Sequence, residues 1–390
     1  AALLDTASVI GVDFDFALLR ALCPGISESV FTESLDEALS IRVIEPLPEE
    51  LDRYRFSHAL LQQAVYEKIP PARRLQSHAA GGQALERLHH ANLDQHSEDL
   101  AHHFTEARAV TGEAKVVEYS LVAGEKALES FAYEQALLHF RRVLDSKAGK
   151  TVDGETAQAH FGIGRAQTAT LPRNRLMEAH QNLLRAFDYY AAEGDIARIV
   201  AIAEMPILPL TEHGILTGSL VERALELVPA GSIGLGRLHA YYGHVLGLER
   251  GDYSGARASF DQALLIARRD GDLGLEMRTL NYAAQVELWH HKIEESLASS
   301  LKAIELAAAT SDPRGEVNGR YLATLSSRGL GDIGETERQA SAILEPAERL
   351  RDRYWPATAH NTIPWPLAVP RDWQPARPAD RTPGRPGNGG

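Results

Sequence analysis

The sequence predicts a mainly all-α protein, a helical solenoid preceded by a small mixed domain, and three observations predict it. An internal period of about forty residues recurs through the second half. After residue 76 strand-like alternation is almost absent, while apolar residues keep returning at three- and four-residue intervals, the spacing of one helix face. The first 75 residues instead mix short helical stretches with two β-prone runs split by a proline turn.

The 390-residue chain has room for two or three domains and, at 44% hydrophobic and 24% charged, the composition of a globular protein. Its formal net charge of -13 opposes nucleic-acid binding through the whole surface, and the densest basic spots are the pairs Arg73–Arg74 and Arg141–Arg142. No direct nucleic-acid contact is therefore expected. Cys23 is the only cysteine, which excludes an intrachain disulfide and a cysteine-rich zinc cluster and fits a cytoplasmic location. No run of about 18 uncharged apolar residues predicts a membrane span. The opening "AALLDTASVIGVDFDFALLRALC" has no initiator Met and no basic n-region. It is expected to be the inside of a longer protein rather than a signal peptide.

Residues 1–75 read as two short helices, "LLDTASVIG" and "DFALLRALCPG", punctuated by Gly11 and Pro24–Gly25. Phe14, Phe16, Leu18, Leu19 and Leu22 are the expected core. A third helix follows, with Val30, Leu35, Leu39 and Ile44 on one side and Ser27 or Ser29 as its cap. "IRVIEPLPEELDRYRFSH" reads as a strand, a turn around Pro48 and a return strand, which completes a winged-helix outline. The third helix carries Glu28, Glu33, Asp36 and Glu37 and no Lys or Arg. It would repel phosphates rather than read base edges, so packing or regulation is expected of the domain. In "HALLQQAVYEKI", Leu60, Leu61, Ala64, Val65 and Ile69 predict an inward stripe, with His58 anchoring the helix start. Pro70–Pro71 stops that helix. Gly81–Gly82 in the next one predicts a tight helix crossing, since two glycines there cost about 1–2 kcal/mol against alanine.

Residues 76–125 are expected to be linking helices and 126–354 five to six helical hairpins. "DYSGARASFDQALLIA", "KIEESLASSLKAIELA" and "DIGETERQASAILEPA" align at intervals of forty. Ala256, Ser296 and Thr336 form one column. Phe260, Ser300 and Ala340 form a second, Ala263, Ala303 and Ile343 a third, and Ala267, Ala307 and Ala347 a fourth. The first column extends back through Gly218, Ala179 and Ala136. Small residues let paired helices approach, while Phe140, Phe187, Leu225 and Phe260 fill the groove to the next pair. One hairpin cannot bury its apolar face alone, so such units stack.

The stretch "YYGHVLGLERGDYSGARASFDQALLIARRDGD" resembles the tetratricopeptide family, with Gly243, Leu246, Gly247, Tyr253, Ala256, Phe260 and Ala263 at pattern-like positions. The units here are longer than the family's. "YRFSHALLQQAVYEKIPPARR" (54–74) with "LAHHFTEARAVTGEAKVVEYSLVAGEKALESFAYEQALLHFRRVL" (100–144) resembles the middle of bacterial signal-transduction ATPases and LuxR-type regulators, some of them linked to nucleotide cyclases. Ser77–His78 departs from the family's usual Leu-His pair. The resemblance implies a nucleotide-binding module upstream, which would hold ATP and Mg2+. This chain has no GxxxxGK[ST] loop, so neither a cofactor nor an enzymatic activity is expected of it. By the same resemblance His58, with Arg73 and Arg74, is the candidate interdomain relay.

The histidine pairs 89–90, 102–103 and 290–291 point about 100° apart on a helix and make poor metal clamps. His96, His102 and His103 could converge with Glu98 or Glu106, but packing is the expected role, with His103 the buried member of its pair. Ser97, Leu100 and Phe104 are expected to cap and pack the helix that carries them. Cys23 reads as a small buried hydrophobe. The Pro-rich tail 355–390 is expected to be largely disordered, with Trp365 and Trp373 available as a cap. The expected function is a sensor and relay that binds a small-molecule inducer or a protein partner on the solenoid, at Tyr241, Tyr242, His244, Asn281, Tyr282 and Trp289. A bare scaffold and a cyclase regulatory region are the alternatives. An inducer predicts an apolar pocket with a few polar groups, and a scaffold predicts a broad open groove.

Overall fold

A computed structural model describes residues 2–47, 52–149, 151–205 and 215–350, with Ala359. The expected turn at Pro48 and, Ala359 apart, the proline-rich tail lie outside the described residues. Chain packing divides the protein into two compact units, one ending at Leu220 and the other beginning at Val221.

The first unit opens with a winged-helix-like domain: α1 (Ala2–Ile10), β1 (Asp13–Asp15), α2 (Phe16–Leu22), α3 (Glu28–Ser40), β2 (Ile44–Pro46) and β3 (Arg53–Phe56). The strands form an antiparallel sheet of order β1-β3-β2, with Phe14 opposite Tyr54 and Ile44 opposite Phe56. Its core gathers Leu3, Ala7, Phe14, Leu19, Phe31, Leu35 and Ile44. The sequence did not announce β1. "DFD" is too short for alternation to show, and Asp15 doubles as the cap of α2, accepting from the Leu18 amide at 2.7 Å. On α3 the inward stripe is Phe31, Leu35 and Ala38, and Val30 is 50% exposed. Leu35 and Ile44 of the expected stripe are in the core and Leu39 packs against it, while Phe31, the larger side chain, takes the place expected of Val30. Ser27 is the N-cap residue of α3 but makes no side-chain cap bond.

Next come α4 (Ala59–Lys68), α5 (Pro71–Leu88), α6 (Ser97–Glu106) and α7 (Arg108–Thr111). The expected stripe of α4 holds at its C-terminal end, where Val65 and Ile69 turn inward, and fails at Leu60, Leu61 and Ala64, which are exposed. Leu60 is 76% exposed and Leu61 40%, while Gln62, Val65, Tyr66 and Ile69 form the contacting side, and Gln62 donates to the Ser8 carbonyl at 2.6 Å. The crossing at Gly81–Gly82 is as expected: a Cβ on Gly82 would stand 2.8 Å from the Phe104 ring of α6, and one on Gly81 3.0 Å from His103.

Helical hairpins follow. In the first unit α8 (Ala114–Glu129) pairs with α9 (Tyr133–Ser146), and α10 (Gly154–Thr170) with α11 (Leu176–Glu193), followed by α12 (Ile196–Ala203). The helix α13 (Ile215–Leu227) spans the unit boundary. In the second unit α14 (Ile233–Glu249) pairs with α15 (Tyr253–Asp270), α16 (Leu273–Trp289) with α17 (Ile293–Thr310), and α18 (Pro313–Leu330) with α19 (Ile333–Ala342), before α20 (Leu344–Glu348). First helices lie side by side within each unit, α8 against α10 and α14 against α16 against α18. All four sequence columns of the second unit are buried, from Ala256, Ser296 and Thr336 through Ala267, Ala307 and Ala347. In α13 the phase runs one residue early, so Val221, Ala224 and Val228 are buried and Leu225 is not. The last column is reached through a break. Pro346 has no N–H to offer the Ala342 carbonyl, and α19 ends there.

One joint recurs between helices. A residue in the left-handed conformation closes one helix, and the next residue is an Asp whose carboxylate caps the following helix. Gly271–Asp272, Ser311–Asp312 and Gly331–Asp332 are examples. The Asp amide donates back five residues, Asp272 to Ala267 and Asp312 to Ala307, both at 2.9 Å. That is the bond of a Schellman cap.

Candidate functional site

The proposed relay residues do not converge. His58 is the N-cap residue of α4, exposed and without a side-chain cap bond. Arg74 lies in the first turns of α5, past the far end of the ten-residue α4, a helix about 15 Å long at 1.5 Å per residue. It donates to the carbonyls of Ile69 at 2.7 Å and Glu67 at 2.6 Å, and its guanidinium lies 4.6 Å from the Tyr66 ring centroid. It therefore locks the α4–α5 corner. Arg73 is exposed.

Of the solenoid residues, Tyr241 and Asn281 are buried and Trp289 is 67% exposed. His244 stands between Tyr241, at 6.2 Å and near-parallel, and Tyr282, at 4.7 Å. It also pairs with the Gln285 side-chain carbonyl at 3.0 Å. Burial pushes its imidazole down to about 4, so the ring is neutral at pH 7 and donates from Nε2. Tyr242 donates to Glu222 at 3.0 Å, and Arg250 pairs with the same carboxylate at 2.7 Å. Those hydrogen bonds hold Glu222 below the ordinary carboxylate range. Asn281 ties α16 to α18 by donating to the Gly315 carbonyl at 3.1 Å, and its Oδ1 is buried without a partner among the described residues. The set thus holds one aromatic group across first helices and one interhelix tie, with Trp289 as its exposed member.

The first-helix face of the first unit carries an open groove of 820 Å3 over α8 and α10. Ala114, Leu121 and Val122 are its apolar lining and Asp94, Glu118, Glu125, Glu129 and Glu155 its acidic lining, against Lys126 as the one cation of the lining. Three of these carboxylates are already paired: Glu118 with Lys115 at 3.1 Å, Glu125 with Arg165 at 2.7 Å, and Glu155 with Lys147. Sequence reading did not find this groove, because its residues come from two helices and a turn that composition cannot bring together.

The same unit contains a buried hydrogen-bonded row. Tyr66 Oη lies 3.0 Å from His78 Nε2, and His78 Nδ1 lies 3.0 Å from His103 Nδ1. His103 is the buried member of its pair, as the helical phase predicted, at 1% exposure. His78, at 2% exposure, carried no spacing signal. Among the described residues no group of three or more His, Cys, Asp or Glu is arranged to hold a metal ion, and no helix is long and apolar enough to cross a membrane. Cys23 is buried, which raises its thiol pKa.

No family model and no curated protein matches the chain. Among solved structures it is similar to the crystal structure of a signal-transduction ATPase with numerous domains that has a tetratricopeptide repeat sensor, from Pyrococcus horikoshii. The identity is 13%, over 94% of this chain and 59% of that one, with a TM-score of 0.48. The chain thus spans under two thirds of that protein's length.

Proposed function

We propose that the chain is a non-catalytic sensor and relay arm of a signalling regulator that takes a protein partner on the first-helix face of its hairpins. The observation that supports this best is the 820 Å3 groove over α8 and α10, which is open and lined by both apolar side chains and carboxylates. An inducer pocket would enclose its ligand in mostly apolar walls, and this groove does not. Its carboxylates outnumber the cations that pair with them, with Asp94 and Glu129 outside any ion pair among the described residues, which favours a basic, amphipathic segment, because complementary charge speeds encounter and rejects acidic competitors. A partner that prefers one arrangement of the hairpins shifts the population toward it by its differential affinity. The regulator setting is supported by the resemblance of residues 54–144 to the middle of signal-transduction ATPases, in which nucleotide chemistry belongs to another module. The open groove also suits a scaffold, which would bind the same partner without any change of population.

The test is selection of short random peptides on the immobilised chain. Enriched peptides are expected to be net basic, to weaken as salt rises, and to be lost on a Glu118→Lys, Glu129→Lys variant. Enrichment of acidic peptides, or binding that survives the double charge reversal, would defeat the proposal. Amide exchange outside the groove that is unchanged by a saturating peptide would leave the scaffold in place of the relay.

A further inference from the structure

The first unit also holds a cavity of 390 Å3 where the winged-helix-like domain meets α5 and α6. Ile10, Phe14, Leu18 and Leu85 are its apolar lining. His89, the C-cap residue of α5, and His96, the N-cap residue of α6, line it too, their rings stacked with centroids 3.7 Å apart. His89 Nε2 is buried with no hydrogen-bond partner among the described residues. Buried polar groups are ordinarily paired, and an exception calls for an explanation such as a bound molecule.

The charges of the lining narrow what that molecule is. Asp13 is taken by Arg55, through bonds of 2.6 and 2.7 Å. Asp15 stands opposite Arg53 in the strand register and caps α2. Asp99, in the first turn of α6, also lines the cavity, is exposed, and is in no ion pair among the described residues. His96 is the common neighbour. Its ring stacks on His89, and the charges that act on it are those of His89, Asp99, Asp15 and, least, Lys126. Burial holds His96 below its ordinary range, so the ring is neutral at pH 7 and does not repel a cation. Among the described residues no group of histidines and carboxylates is arranged to hold a metal ion, and the apolar lining calls for a ligand with carbon to bury. We infer that this cavity binds a small organic monocation, a primary amine with an apolar body, its ammonium held by Asp99 and His89 Nε2 and its body against Ile10, Leu18 and Leu85. His89 then accepts at Nε2 and carries its proton on Nδ1. The volume falls within the roughly 300–1,000 Å3 of small-molecule sites. Because its lining comes from the winged-helix-like domain and from α5 and α6 together, a bound amine ties the one to the other. The inference goes beyond the partner reading and does not rest on it, since the cavity shares only Gln95 with the groove.

The test is titration of the full chain with butylamine, phenethylamine and tyramine, by calorimetry and thermal shift. Phenethyl alcohol and hydrocinnamate, which keep the aromatic body and remove or invert the charge, are titrated beside them. At least one amine is expected to bind and to raise the melting temperature. The alcohol and the acid are expected to bind about 10- to 100-fold more weakly, the size of a lost charged hydrogen bond. Asp99→Asn should cause a similar loss. Because Asp99 is exposed, that variant should keep its helicity, which circular dichroism checks. His89→Phe, which keeps a ring for the stack, should also weaken the amine. The Glu118→Lys, Glu129→Lys variant should bind it as the parent does, which separates this cavity from the groove. The inference fails if none of the three amines binds, if the alcohol binds as tightly as the amine, or if Asp99→Asn binds as the parent does. Amine binding lost in the groove variant would also defeat it, by placing the amine there.

Discussion

Two imidazoles with Nδ1 atoms 3.0 Å apart can hold one proton between them but not one each. Burial pushes His78 down to about 4 and His103 to about 3, with His102 and Arg74 adding positive charge nearby. The sign follows from linkage. An unfolded histidine takes its proton near 6.5, whereas the folded chain refuses it until far lower pH. The pair's stabilisation is therefore complete above about 6.5 and is lost as the pH falls toward about 4 and 3. Melting temperatures measured from neutral pH downward should decline through this window. In a His78→Gln, His103→Gln variant the decline should be shallower, though not absent, because His244 is depressed as well. An identical acid limb in parent and variant would contradict the assignment. Sequence reading placed His103 correctly because Leu100 and Phe104 fix the phase of α6. It missed His78 because "SHAAGG" presents no apolar periodicity to read.

Within elements, what the sequence revealed depended on how strongly a helix's phase was fixed. Long hairpin helices repeat the same small-residue column at intervals of forty, so their buried faces were legible. The short α4 was legible only in part: Val65 and Ile69 turn inward as the stripe predicts, while Gln62, through its bond to the Ser8 carbonyl of α1, takes the place expected of Leu60 and Leu61. The joints show a finer rule. Each needs a left-handed residue, and glycine supplies it at Gly271 (φ 69°) and Gly331 (φ 74°), while Ser311 takes φ 52° with a Cβ in place. Left-handed backbone costs a non-glycine residue about 1–2 kcal/mol. Ser311→Gly should therefore stabilise the chain by about 1 kcal/mol, and Gly271→Ala should destabilise it by a similar amount. Chemical denaturation gives both signs. Two shifts in the same direction would mean that the side chains, not the backbone, set the energy of the joint. The candidate sites were less legible than the fold for a related reason. Tyr241 and Asn281 stood out as polar or aromatic but lie in buried columns, while the cavity beside the winged-helix-like domain draws on elements far apart in the sequence, whose meeting no local pattern announces.

At the level of the whole chain, repeats exchange contacts with their neighbours, so stability is a sum of local terms and need not be lost in one step. The division into two compact units at Leu220 and Val221 sharpens this into an expectation of two calorimetric transitions. Gly162→Ala acts in the first unit, since any Cβ there runs into the Phe140 ring, and overpacking of that kind costs about 1–3 kcal/mol. Asn281→Ala acts in the second, removing the bond to the Gly315 carbonyl, which is worth about 1 kcal/mol. For units of roughly this size each kcal/mol moves a midpoint by about 2–4 °C. Each variant should displace one transition and leave the other in place, and Phe140→Leu should restore part of the Gly162→Ala loss by clearing the collision. A single transition that both variants lower would mean that the two units unfold as one. Local ligand energy at either unit would then be felt across the entire chain, and a relay would need no separate moving part.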